Sequence, residues 1–230
     1  MSRRVVVTGG TRGIGRAVAE RFRAAGDEVL APGSAELDVT DEAAVGAFFA
    51  AAGDVDVLVN NAGVSESAPV AKTLLAQWER QMAVNATGSF LCARAVLPGM
   101  LARGHGRIVC VASTAGVAGA RYTAAYTASK HAAVGLMRAT AAEVAGTGVT
   151  CNAVCPTFVR TDMTRESVKR IVAATGRTEA EGEAALARMS PLGRLLEPEE
   201  VAAAVAYLAG DEAAAINGQT LILDGGGIQT

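Results

Sequence analysis

Thr8-Gly9-Gly10-Thr11-Arg12-Gly13-Ile14-Gly15 follows a short β-branched run, Arg4–Thr8, and leads into Ile14–Ala25, where Ile14, Val18 and Phe22 recur every fourth residue. A β-strand, a glycine turn and an amphipathic helix in that order form the first half of a βαβ unit. Gly9 and Gly10 permit a tight turn, and Gly13 and Gly15 let backbone come close to a ligand and to the sheet. The helix that opens near Ile14 aims free N–H groups and positive dipole at the same spot, which suits a pyrophosphate.

The same alternation continues outward from this loop. Short strand-like runs recur at Glu28–Ala31, Val55–Asn60, Arg107–Ala112, Val149–Val154 and Thr220–Leu223, with helical patterns near 41–52, 73–102, 123–146 and 198–209. Strands that are apolar almost throughout, interleaved with helices, imply a parallel sheet covered on both faces. The expected architecture is α/β: a Rossmann-like, doubly wound parallel sheet forming one domain over 1–230. Segment 160–197 interrupts the rhythm. It is polar and rich in charge, and at that length it reads as a helical flap over the binding site.

Composition limits the function classes. Of 230 residues, 50% are hydrophobic, 26 are glycine and only 19% are charged, so the chain can bury a large core. Lys and Arg number 21 against 23 Asp and Glu, a net charge of −2, and no basic stripe points to nucleic acid. The longest uncharged stretch, Val144 to Val159, contains Asn152 and Pro156 and falls short of the roughly 20 apolar residues of a membrane span. No secretory leader is recognisable at the N-terminus, and the chain reads as cytoplasmic. Cys92, Cys110, Cys151 and Cys155 lack metal-ligand spacing, so they read as buried thiols and no metal is expected. Cys151 and Cys155 share one face of a strand. His105 and His131 read as structural or solvated.

Tyr126 and Lys130 are four residues apart in a helical segment and so project from one face. A free tyrosine is a poor acid at neutral pH, and a neighbouring ammonium favours its anion. Tyr126 could then give a proton to a carbonyl oxygen or take one from an alcohol. Ser113 follows a strand at its carboxyl end, where open α/β sheets bind ligands, and its hydroxyl could donate to the same oxygen.

The spacing GxxxGxG, together with DVT (38–40), NNAG (60–63), Asn85, Ser113, Tyr126-x-x-x-Lys130 and NGQTLILDGG (217–226), resembles the short-chain dehydrogenase/reductase family along nearly the whole chain. The resemblance implies catalytic Ser113, Tyr126 and Lys130, with Asn85 holding a proton-relay water and Lys130 also binding the nicotinamide ribose. It implies cofactor contacts from Gly9, Thr11, Arg12, Gly13, Ile14 and Gly15, from Asp38 and Val39 at the adenine, and from Asn60, Ala62 and Gly63 at the adenosine ribose. Pro156, Val159 and Thr161 would lie beside the nicotinamide. The chain departs from the family in Pro156-Thr157, where Pro-Gly is usual, and in the short segment between the second strand and Asp38.

NAD-users place a carboxylate at the end of the second strand, and here that position falls at Gly33. Ser34 and Arg12 could instead meet a 2′-phosphate, so NADP is favoured over NAD. The segment CNAVCPTFVRTDM (151–163) is similar to bacterial 3-oxoacyl-thioester reductases and aromatic polyketide ketoreductases. The expected activity is NADPH-dependent reduction of a 3-oxoacyl thioester carried by coenzyme A or a carrier protein. Arg165, Lys169, Arg170 and Arg188 of the flap would be available for its phosphates. The alternatives are an NAD-dependent 3-hydroxyacyl-CoA or small secondary-alcohol dehydrogenase, a nucleotide-sensing regulatory protein, and an epimerase or dehydratase. The family resemblance implies a homotetramer, and the Ala-rich helices at 78–102 and 123–146 suit close helix packing.

Overall fold

The computed structural model describes residues 2–229. Six parallel strands form one sheet in the order β2-β1-β3-β4-β5-β6, with β1 at Arg4–Val7, β2 at Glu28–Leu30, β3 at Val57–Asn60, β4 at Gly106–Val111, β5 at Val149–Pro156 and β6 at Thr220–Leu223. The connecting helices are α1 (Gly13–Ala24), α2 (Glu42–Ala52), α3 (Leu75–Met82), α4 (Gly88–Arg103), α5 (Ala124–Glu143), α6 (Asp162–Thr175), α7 (Glu179–Ala187) and α8 (Pro198–Leu208).

Strand alternation sorts the core into two layers. Val6, Leu58, Ile108, Cys110, Cys151 and Cys155 face a cluster with Val45 and Phe49 of α2, Leu91 and Met100 of α4, and Val134 and Met137 of α5. Val5, Val7, Val57, Val59, Val109 and Val111 face the other way, onto Val18 and Phe22 of α1 and Val201 and Val205 of α8. Both faces are therefore covered, which is why the strands read as almost unbroken apolar runs. The shared face expected of Cys151 and Cys155 is present.

The order reverses at β1, which has β2 on one side and β3 on the other. Their connections leave on opposite faces and open a crevice above the carboxyl ends of β1 and β3. Buried Thr8 holds its rim, its Oγ accepting from the backbone N–H of Asn61 and of Ala62, each at 3.0 Å. At the other edge Asn152 is fully buried. It donates to Ile216 O at 2.7 Å and accepts from Gln219 N at 3.0 Å, which fixes β6 beside β5.

Two local readings need correction, and a third is filled in. The helical pattern at 73–102 is not one helix: a π-turn, Ala83–Thr87, separates α3 from α4 and carries Asn85. Strand β5 runs on through Pro156, whose ring occupies the strand's end. Thr157 keeps ordinary backbone, since Tyr122 is the one non-glycine residue of positive φ among those described, so the missing glycine removes nothing that the turn requires. Segment 160–197 forms α6 and α7, joined through Gly176 (φ 69°) and a capping box between Thr178 and Glu181. Val168, Leu186 and Leu195 form their own small core. Among the described residues no helix is long and apolar enough to cross a membrane, and no cluster of metal-ligating side chains occurs.

Candidate active site

A cleft of about 580 Å³ lies over the sheet's reversal point, between the glycine loop, the β3 end, α5 and α6. That size suits a small-molecule or cofactor site. Helix α1 opens at Gly13 with no side chain capping it, so its first N–H groups face the cleft.

The glycines of the loop answer to specific neighbours. A Cβ on Gly15 would lie 2.3 Å from Gly9 O and 2.4 Å from Asn61 Nδ2. A Cβ on Gly10 would lie 2.6 Å from that of Ala31. Asn61 Nδ2 donates to Thr8 O at 2.9 Å and to Gly9 O at 3.1 Å, so the turn is tied to the end of β3. The cradle is thus a backbone surface with no room for side chains, as a bound pyrophosphate needs, and the residues present fit a dinucleotide.

At the adenosine end, Arg12, Ser34, Asp38 and Val39 line the wall, and Glu36 turns away, accepting from Gly33 N at 2.6 Å. No other acidic side chain lies between β2 and Asp38. Asp38 accepts from the hydroxyl of Thr40 at 2.7 Å and from its N–H at 2.9 Å, and these bonds hold its carboxyl below the usual range.

At the other end stand Tyr126 and Lys130. Lys130 is buried, donates from Nζ to Val111 O at 3.0 Å, and has that nitrogen 5.9 Å from the centre of the Tyr126 ring. An ammonium has three protons, so two remain for a ligand. Ser113 stands just beyond β4, where its Oγ accepts from Ala115 N at 3.1 Å and keeps its own proton free to donate.

Asn85 is buried, and its side chain is fully engaged. Its Oδ1 accepts from Val64 N, and its Nδ2 donates to Val64 O and to Ser129 Oγ, all at 2.9 Å. It thus clamps the loop after β3 to α5, one residue before Lys130. Gln81 extends the clamp by accepting from Glu66 N at 3.1 Å.

Of the residues singled out in the sequence, Gly9, Thr11, Arg12, Gly13, Ile14, Gly15, Ser34, Asp38, Val39, Ala62, Gly63, Tyr126, Lys130 and Thr161 line the cleft. Asn60 does not: it is buried below, donating to Ser89 O at 3.1 Å, and Asn61 takes the wall position. Asn85, Pro156 and Val159 are buried and also lie outside the lining, Val159 within the core packed on α8, while Ser113 is partly exposed just beyond β4. The sequence reading missed the Glu66–Arg80 ion pair at 2.8 Å, and Met163 and Glu166, which share with Arg170 a face of α6 on the cleft. The last two could have been found by marking the residues three and four apart along the flap helix.

Residues 31–227 match the family described as enoyl-(acyl carrier protein) reductase. The granaticin polyketide synthase putative ketoacyl reductase 1 of Streptomyces violaceoruber is 40% identical over 96% of this chain and 91% of its own length. The 3-oxoacyl-[acyl-carrier-protein] reductase FabG of Escherichia coli (strain K12) is 35% identical over 96% of this chain and 95% of its own. Among solved structures, a single-substitution variant of the actinorhodin polyketide ketoreductase with NADPH superposes with a TM-score of 0.90 at 36% identity, covering 98% of this chain and 97% of that one.

Proposed function

The chain belongs to the short-chain dehydrogenase/reductase family of oxidoreductases, and from that premise we propose that it reduces the ketone of a 3-oxoacyl thioester with NADPH. The observation that carries the reading is buried Lys130, held by Val111 O beside the Tyr126 ring within a glycine-walled cleft.

A bound nicotinamide would supply hydride to the carbonyl carbon. Tyr126 gives the proton that converts the forming alkoxide to the alcohol. Ser113 donates its free hydroxyl proton to the same oxygen as charge develops there. Lys130 favours the tyrosinate left behind and holds the cofactor's ribose with its two remaining protons. Asn85 positions the loop and α5 through its side chain, so a water-holding role would fall to its main chain.

The phosphate preference rests on Arg12 and Ser34 at the adenosine end and on Glu36 being engaged with its own loop. Assembly as a homotetramer fits Trp78 of α3 and Phe90 of α4, which stay 40% and 42% exposed. Light scattering would then give four times the 23.3 kDa of one chain.

The test is Tyr126→Phe. NADPH oxidation with acetoacetyl-CoA should fall by about a hundredfold or more, with the NADPH dissociation constant within twofold of wild type. A variant near the wild-type rate would remove Tyr126 from the proton step.

A further inference from the structure

Resting on that reading of the cleft, we propose that Arg170 anchors an oxyanion borne by the substrate, a carboxylate or a phosphate. Of the flap's seven cations, Arg160 and Arg194 are ion-paired and Arg177 is exposed away from the cleft, and the other four are not equivalent. Arg165 is paired with Asp162, and Lys169 with Glu166 at 2.7 Å. Arg188 is exposed at the end of α7 and does not face the cleft. Arg170 is half-buried and lines the cleft. No carboxylate lies within ion-pair distance of it among the described residues, and its one side-chain partner is Ser167 Oγ, at 2.9 Å from Nη2. Its Nε is buried with no acceptor.

A buried guanidinium donor without an acceptor is costly, and native proteins rarely keep one. The surrounding walls do not repair the deficit. Glu66 is bound to Arg80, Asp162 to Arg165 and Glu166 to Lys169, so each carboxylate on this part of the lining already has its cation. One positive charge is left over on the wall of the cavity, on a guanidinium, the group whose planar fork suits a carboxylate or phosphate.

Position limits what the anion can be attached to. Thr161, just ahead of α6, has its methyl 3.1 Å from where a Cβ on Gly13 would stand, so α6 starts against the glycine loop. Arg170 comes eight residues after Asp162, about 12 Å further along the helix axis. That reach, counted from the glycine loop, suits the far end of a long substrate, such as a phosphorylated carrier arm or the distal carboxylate of a long acid.

The test compares two pairs of substrates that differ by one charge, with saturating NADPH. Acetoacetyl-phosphopantetheine is set against acetoacetyl-pantetheine, and 1-ethyl hydrogen 3-oxododecanedioate, with its distal carboxylate free, against diethyl 3-oxododecanedioate. Arg170→Met should lower kcat/KM for the anionic member of one pair by about ten- to a hundredfold, with its neutral partner within twofold and Arg170→Lys between the two. The pair that responds identifies the source as phosphate or carboxylate. Equal loss on charged and neutral members, loss on neither, or a raised KM for NADPH alone would overturn the proposal. Should the wild type reduce none of the four, the 3-oxoacyl reading fails, and calorimetry decides on Arg170 separately. Phosphopantetheine and dodecanedioate are titrated into NADP-loaded protein. Binding by the wild type that Arg170→Met abolishes supports the anchor, and no wild-type binding of either refutes it.

Discussion

Replacing Gly15 with alanine puts a methyl group where the glycine loop meets the end of β3. The new carbon would lie 2.3 Å from Gly9 O, 2.4 Å from Asn61 Nδ2 and 3.0 Å from Gly10 Cα. The first two atoms are hydrogen-bonded to each other at 3.1 Å, so the methyl wedges apart a pair that ties loop to sheet. Forced insertion into packed structure costs about 1–3 kcal/mol. Losing the bonds from Asn61 to Gly9 and Thr8 adds about 0.5–1.5 kcal/mol each. A total of roughly 2–6 kcal/mol corresponds to a fall in Tm of about 5–20 °C for a domain of this size. Because the displaced atoms also form the pyrophosphate cradle, NADPH affinity should fall at least tenfold, read by fluorescence titration. Gly46→Ala is the control. Gly46 lies inside α2 with nothing within 4 Å of an added Cβ, so alanine there should stabilise by about 0.5–1 kcal/mol through helix propensity. A Gly15→Ala protein within 2 °C of wild type that binds NADPH normally would refute the contact argument.

Arg12→Ala should weaken NADPH by at least tenfold more than NADH in parallel titrations, and equal losses would disprove a 2′-phosphate contact at Arg12. Burial pushes the thiols of all four cysteines upward, Cys92 to about 12 and Cys155 to about 11. No thiol should react with Ellman's reagent in native protein at pH 8, and all four should in denaturant; one fast thiol in the native state would contradict the packing. The Glu200 carboxyl is held down to about 2 by the Arg194 guanidinium and the Glu197 N–H. A folded value below the unfolded one stabilises above about pH 4.5, and that contribution is lost as pH falls from there towards 2. Glu200→Gln should therefore flatten the fall of Tm between pH 5 and 3 by about 1–3 °C, the pair being exposed. An unchanged slope would show the ion pair to be inert.

Much of this protein could be read along the chain because its signals are local. The run Arg4–Thr8, the glycines to Gly15 and the period of Ile14, Val18 and Phe22 determine a strand, a phosphate turn and a helix, since backbone conformation and amphipathic spacing are properties of neighbouring residues. Tyr126 and Lys130 share a face for the same reason. Tertiary structure decided what depends on partners far away in sequence. The choice between Asn60 and Asn61 as the cleft-facing residue turned on strand alternation and on Ser89, 29 residues on. The break at Ala83–Thr87 follows from Asn85 turning inward to bind Val64 and Ser129, contacts that no helical period encodes. Arg165, Lys169 and Arg170 look alike in the sequence. Burial and the geometry of each carboxylate left only Arg170 facing the cleft without a counter-ion, because pairing is settled by which side chains the fold brings within a few ångströms of one another.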